Sequence, residues 1–231
     1  MRHCGVALAV VGTCLLTFGC SEGDNHAART STTKPTPTST VPPPLLDTAL
    51  PALMLSADEA NAVMGSNGMT ITRTRFEMSD DSATMQPREC LAIDGSAQAQ
   101  VYAGSGFTAE RDETLQEGDK FTHFVEQAVV LFPSAKQAAA FVAASAQQWG
   151  TCHQYTHIQS GSLWTVGPIS NANGILSTVA TQQNAKPPGW ACGHALAARN
   201  NVVIDVNTCS ANPADSAVNI ASQAAARVQP Q

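Results

Sequence analysis

Cysteine and histidine recur close together twice in this chain. Cys192, His194 and Cys209 share the stretch GWACGHALAARNNVVIDVNTC, residues 189–209, and Cys152 precedes His153 and His157. Such side chains can hold a metal, exchange electrons as thiols, or lock into disulfides. A zinc site needs thiolates and imidazoles at tight spacing, yet no CxxC pattern occurs, alone or joined to the HxxxH of His153 and His157. No metal or other cofactor is therefore expected. Hydrolytic chemistry finds no support either. Gly104-Ser105-Gly106 lacks the flanks of a GxSxG elbow, and there is no HExxH, Walker loop or Gly-x-Gly-x-x-Gly fingerprint. The expectation is a protein that is not an enzyme, with Gly104 to Gly106 as a turn.

Which cysteine chemistry applies depends on the compartment. The chain opens MRHCGVALAVVGTCLLTFGC: a basic start, then an apolar run from Val6 to Phe18 that is too short to span a membrane. Residues 1–19 read as an export signal, and Thr17-Phe18-Gly19-Cys20 resembles a lipobox in which Cys20 becomes the acylated N-terminus. Of residues 27–44, thirteen of eighteen are Thr, Ser or Pro. A segment with so little to bury stays extended, so residues 20–44 are expected to be a lipidated tether and residues 45–231 a single exported domain.

Outside the cytoplasm disulfides persist, and the domain has four cysteines at 90, 152, 192 and 209. If Asn200 and Asn201 form a two-residue type I′ hairpin loop, paired positions sum to 401, and Cys192 faces Cys209. Counting from Arg199 opposite Val202, that pair is non-hydrogen-bonded, where side chains approach most closely. Cys192–Cys209 is thus expected as a cross-strand bridge. Cys90–Cys152 follows by elimination.

The elements that must carry these residues can be read in outline. Ser56 to Glu59 is a capping box opening a short helix that ends near Gly65. Residues 69–76, 107–115, 123–132, 163–169 and 175–182 read as strands, with turns at 117–119 and 171–174. Residues 97–102 are helix-like or loop. Pro133-Ser134 opens an Ala-rich helix through Trp149, and 217–228 has helical spacing of Val218, Ala221, Ala225 and Val228. The fold class is α+β: an antiparallel β-sheet with packed helices and two disulfides. With 12 basic against 18 acidic residues and no basic run beyond the signal, nucleic acid is excluded as a partner.

Aromatic residues beside chain reversals suit an apolar site that must still orient a ligand. Tyr102, Trp164 and Trp190 are the candidates, although Trp164 opens a strand and fits core packing as well. His194 and Asp205 lie on one face of the hairpin in the same register and can add polar contacts.

"FVEQAVVLFPSAKQAAAFV", running on to "QQWGTC", together with "VYAGSG" upstream and the opening stretch downstream, resembles the PknH-like extracellular sensor domain. That family forms the outer part of mycobacterial transmembrane serine/threonine kinases and occurs in stand-alone lipoproteins. The resemblance spans most of residues 50–228 and implies two disulfides and a cleft for an unidentified ligand. The resulting expectation is a stand-alone lipoprotein, anchored to the extracytoplasmic face of the cell membrane, whose domain binds a small molecule or envelope ligand. The alternative is a scaffolding envelope protein making protein contacts only. A cleft with convergent polar groups favours the first, and a flat apolar patch the second.

Overall fold

The computed structural model describes residues 42–228. The export signal, Cys20 and nearly all of the tether lie outside these residues. After a 3-10 segment at Asp47–Leu53 the elements are α1 (Ala57–Met64), β1 (Thr70–Arg75), β2 (Met85–Gln86), α2 (Leu91–Asp94), α3 (Ala99–Tyr102), β3 (Ala109–Gln116) and β4 (Phe124–Leu131). There follow α4 (Ala135–Trp149), β5 (Gln154–His157), β6 (Leu163–Val166), β7 (Ser170–Ala172), β8 (Ile175–Gln182), β9 (Ala191–Arg199), β10 (Val202–Ser210) and α5 (Ser216–Arg227).

Local chemistry sets the helix ends. The capping box forms at α1: Ser56 Oγ accepts from the Glu59 N–H and the Glu59 carboxylate accepts from the Ser56 N–H at 2.8 Å, while Gly65 closes the helix at φ 68°. At α4, Ser134 Oγ takes the Gln137 N–H, so a free donor of the first turn is satisfied.

The strands form one antiparallel sheet in the order β1-β3-β4-β10-β9-β8-β6-β5-β2, with β7 on β8. Helices cover both faces. On one, Val202, Ile204 and Val206 pack with Leu53, Ile220 and Ala221; on the other, Val203, Leu196 and Leu176 pack with Trp149 and Phe132. Every residue of β10 is buried, so Asp205 and Asn207 cannot rely on water and must find partners inside.

The hairpin register matches the sequence expectation residue for residue. Cys209 pairs with Cys192, and their bridge closes at a Cα separation of 4.1 Å. The second bridge, Cys90–Cys152, ties the start of α2 to the chain leaving α4. The loop itself differs from type I′. Asn200 takes φ 47°, but Asn201 is not left-handed, because its carboxamide is held: it accepts from the Leu45 N–H at 2.7 Å and donates to Phe132 O at 2.9 Å. The strand read over 163–169 stops at Val166. Gly167 crosses so near β8 that a Cβ there would meet Val179 O at 2.9 Å, and the chain then restarts as β7.

Candidate functional site

On its α2–α4 face the sheet from β1 to β9 carries a stretch that is left open among the described residues, with the end of α2 at its rim. Side chains two apart along a strand share a face, so Arg73 and Arg75 of β1, Glu126 of β4 and Asn207 of β10 point the same way. They line an open cleft of about 880 Å³, together with Trp164, Trp190, Phe121, Phe124 and the Cys192–Cys209 bridge. The loops at 79–81 and 94–98 and the β5–β6 turn at 160–162 complete its lining.

The aromatic groups differ in how much they give to the core. Trp164 is 4% exposed, stacks on Tyr155 at 5.9 Å, and donates its indole N–H to Ser162 Oγ at 3.0 Å. It serves core and cleft together. Trp190 is half-buried and leans on Phe121, which is 37% exposed and touches Phe124 in turn.

Tyr102, His194 and Asp205 are brought together, but one step along the sheet from the cleft rather than in its lining. His194 lies across from Asn207 in the β9–β10 ladder. Its Nδ1 meets the Ile93 carbonyl at 2.8 Å and its Nε2 meets Asp205 Oδ1 at 2.6 Å. The Ile93 carbonyl only accepts, so Nδ1 carries a hydrogen; opposite an ionised Asp205 the second nitrogen carries one too, and the ring is then an imidazolium. Burial alone would lower the His194 pKa, yet the Asp205 charge and hydrogen bond outweigh it and the net direction is up. Asp205 Oδ2 accepts from the Tyr102 hydroxyl at 2.9 Å and the Ala97 N–H at 3.0 Å. Burial, and then Asp205, push the Tyr102 hydroxyl well above its usual pKa. This is a fully satisfied buried ion pair, and it anchors residues 93–97 against the sheet. Those residues hold Asp94 and Gly95 at the cleft, with Asn207 Nδ2 donating to Asp94 O at 2.9 Å.

A second charged group lies toward β1. Glu110 and Asp112 are neighbours on one face of β3, and neither Glu110 oxygen has a hydrogen-bond partner among the described residues. Burial, then Asp112, pushes Glu110 up to about 8. Burial likewise raises Glu126 to about 7, although Ser96 Oγ donates to it at 2.9 Å. Arg75 sits 3.9 Å from Asp112 and 3.7 Å from Glu126. At the other end His157 Nε2 bonds Asp94 Oδ1 at 2.8 Å, and that bond raises the His157 pKa. No cluster of three His, Cys, Asp or Glu side chains able to hold a metal occurs among the described residues.

Of the five residues singled out in the sequence for ligand contact, Trp164 and Trp190 line the cleft, while Tyr102, His194 and Asp205 lie outside its lining and bond to one another instead. Sequence reasoning missed Arg73, Arg75, Phe121, Phe124, Glu126 and Asn207. The alternation of Arg73 and Arg75 was a readable sign of one strand face, but their approach to Asn207 depends on the order β1-β3-β4-β10, which no local pattern states.

A family profile described as the PknH-like extracellular domain matches residues 45–227. The serine/threonine-protein kinase PknH of Mycobacterium bovis is 35% identical over 187 residues, covering 79% of this chain and 31% of the kinase. The Mycobacterium tuberculosis kinase of the same name is also 35% identical, with 30% of its length covered. The chain thus spans about a third of the length of these relatives. The crystal structure of the extracellular domain of PknH from M. tuberculosis superposes with a TM-score of 0.75 at 35% identity, covering 80% of this chain and 97% of that one.

Proposed function

Because the chain belongs to the PknH-like extracellular domain family, we propose that it is a receptor-like protein of the cell envelope, which binds a small molecule in the cleft between β1 and β9. The extracellular-domain kinship puts the domain on the extracytoplasmic side. Cys20, with its acyl chains, would hold it to the outer face of the cell membrane, and the Thr/Ser/Pro segment would set its distance from the bilayer.

The observation that carries the binding role is the cleft's construction. It is open, it has aromatic rings beside charged and amide side chains, and a buried ion pair and a disulfide fix its walls before any ligand arrives. Preformed sites of this kind lose little entropy on binding. Among the described residues no serine hydroxyl of the cleft bonds to the His157 ring, which is turned to Asp94, and the arrangement fits recognition. Native mass spectrometry of protein purified from its own envelope tests the reading. The expected result is a bound small molecule that is retained by the wild type and lost from Trp190→Ala. A molecule retained equally by both proteins would contradict it.

A further inference from the structure

The hydrogen-bonding groups that the cleft leaves unspent define a class of ligand. We infer that it takes a neutral saccharide of more than one ring; this rests on the cleft being the binding site.

Charge is the first discriminator. Arg75 faces Asp112 and Glu126 and Asp94 is paired with His157, whereas among the described residues Arg73 meets the Thr114 hydroxyl at 3.3 Å without an acidic partner, and Asp80 and Asp81 accept from neutral carboxamides at 3.1 and 2.8 Å. Unpaired charges of both signs therefore stand side by side, and a ligand of one sign would meet like charge next to any counter-ion. Hydrogen-bonding capacity is the second. The indole N–H of Trp190 and the carboxamide of Gln182, both in the lining, make no side-chain hydrogen bond among the described residues. Among the described residues no donor meets the carboxamide oxygen of Asn207: the Cys209 sulfur lies at 3.3 Å, and a disulfide sulfur has no hydrogen to donate. Donors and acceptors therefore stand free side by side. A hydroxyl both donates and accepts, so vicinal hydroxyls can satisfy such a set, whereas an alkyl chain would leave it buried and unpaired.

The rings supply the remaining contact. Phe121 meets Trp190 at 6.1 Å and 53° and Phe124 at 5.9 Å and 42°, so none of the three is stacked flush on another. Their faces remain for the apolar C–H faces of a sugar. A volume of about 880 Å³ leaves room for more than one ring.

The test is a titration of the full chain with neutral tri- and tetrasaccharides of hexoses and pentoses, alongside inorganic phosphate and tetramethylammonium as charged probes. Binding is read by saturation-transfer NMR and tryptophan emission. The expected result is that at least one saccharide binds at millimolar concentration or below, that phosphate and tetramethylammonium do not, and that Trp190→Ala and Gln182→Ala each weaken binding about tenfold. Gln182→Ala keeps the test open should Trp190→Ala unfold. If none of the saccharides binds, the class is wrong. The cleft survives that failure when a non-saccharide mass from the envelope is lost in Trp190→Ala. A saccharide that binds both variants as tightly as the wild type overturns the class and the cleft together.

Discussion

His194 and Asp205 show how a buried charge can be kept without strain on the fold. Each acceptor of Asp205 is met by a hydroxyl, an amide or an imidazolium, and each ring nitrogen of His194 meets an acceptor. Removing the carboxylate charge leaves the imidazolium buried and alone. Asp205→Asn is expected to cost about 3–5 kcal/mol in urea unfolding. Tyr102→Phe deletes one donor and should cost about 1–2 kcal/mol. Equal losses would mean that the charge has no special weight. The same pair makes a prediction for titration. The folded His194 pKa is above its usual value, so this group stabilises the protein fully below about 6.5 and loses that contribution as pH rises through the folded pKa. The His194 ring signals in NMR should titrate late in the wild type and earlier in Asp205→Asn.

At the scale of elements, the β3–β4 pair concentrates the unusual carboxyls. Glu110 and Glu126 are raised to about 8 and about 7 by burial, so the folded protein holds protons that the unfolded chain releases. Their stabilisation is complete below about pH 4.5 and falls as pH rises through 7 and 8. Glu59 and Glu117 act in the other direction. Both are lowered to about 2, Glu59 chiefly by Arg227 and Glu117 by His123 against the effect of burial, and they favour folding above pH 4.5. Thermal melting should therefore peak in mildly acidic solution and decline toward pH 9. Glu126→Gln imitates the protonated carboxyl and should flatten that decline by on the order of 2 kcal/mol. An unchanged slope would show that Glu126 already ionises in the folded state. Much of this level was legible in sequence: the capping box, the Ala-rich helix, the hairpin register and its disulfide follow from local spacing. The two-residue β2 and the short β5, QYTH, had no apolar period to reveal them. The buried acids of β3 alternate like a solvated strand face, and only the packing of residues 94–98 and β1 against them makes them interior.

For the molecule as a whole, the two disulfides divide the labour. Cys192–Cys209 lines the cleft, whereas Cys90–Cys152 is buried in the core below α4. Replacing either pair by alanine should cost about 3–4 kcal/mol by loop entropy, but loss of Cys192–Cys209 alone should also weaken ligand binding in protein that remains folded. Anchoring is tested separately. Cys20→Ala should move the protein from the detergent phase to the aqueous phase, and retention with membranes would refute acylation at that residue. The claim on which the rest depends is that the cleft, and not an outer face, meets the ligand. Hydrogen–deuterium exchange of the full chain, with and without extract of its own envelope, tests this most directly. Protection is predicted at residues 79–81, 94–98, 121–124, 160–164 and 190–192, with α5 and its face unchanged. Protection confined to α5, α1 or the outer surface of α4, with the cleft segments exchanging as before, would contradict it.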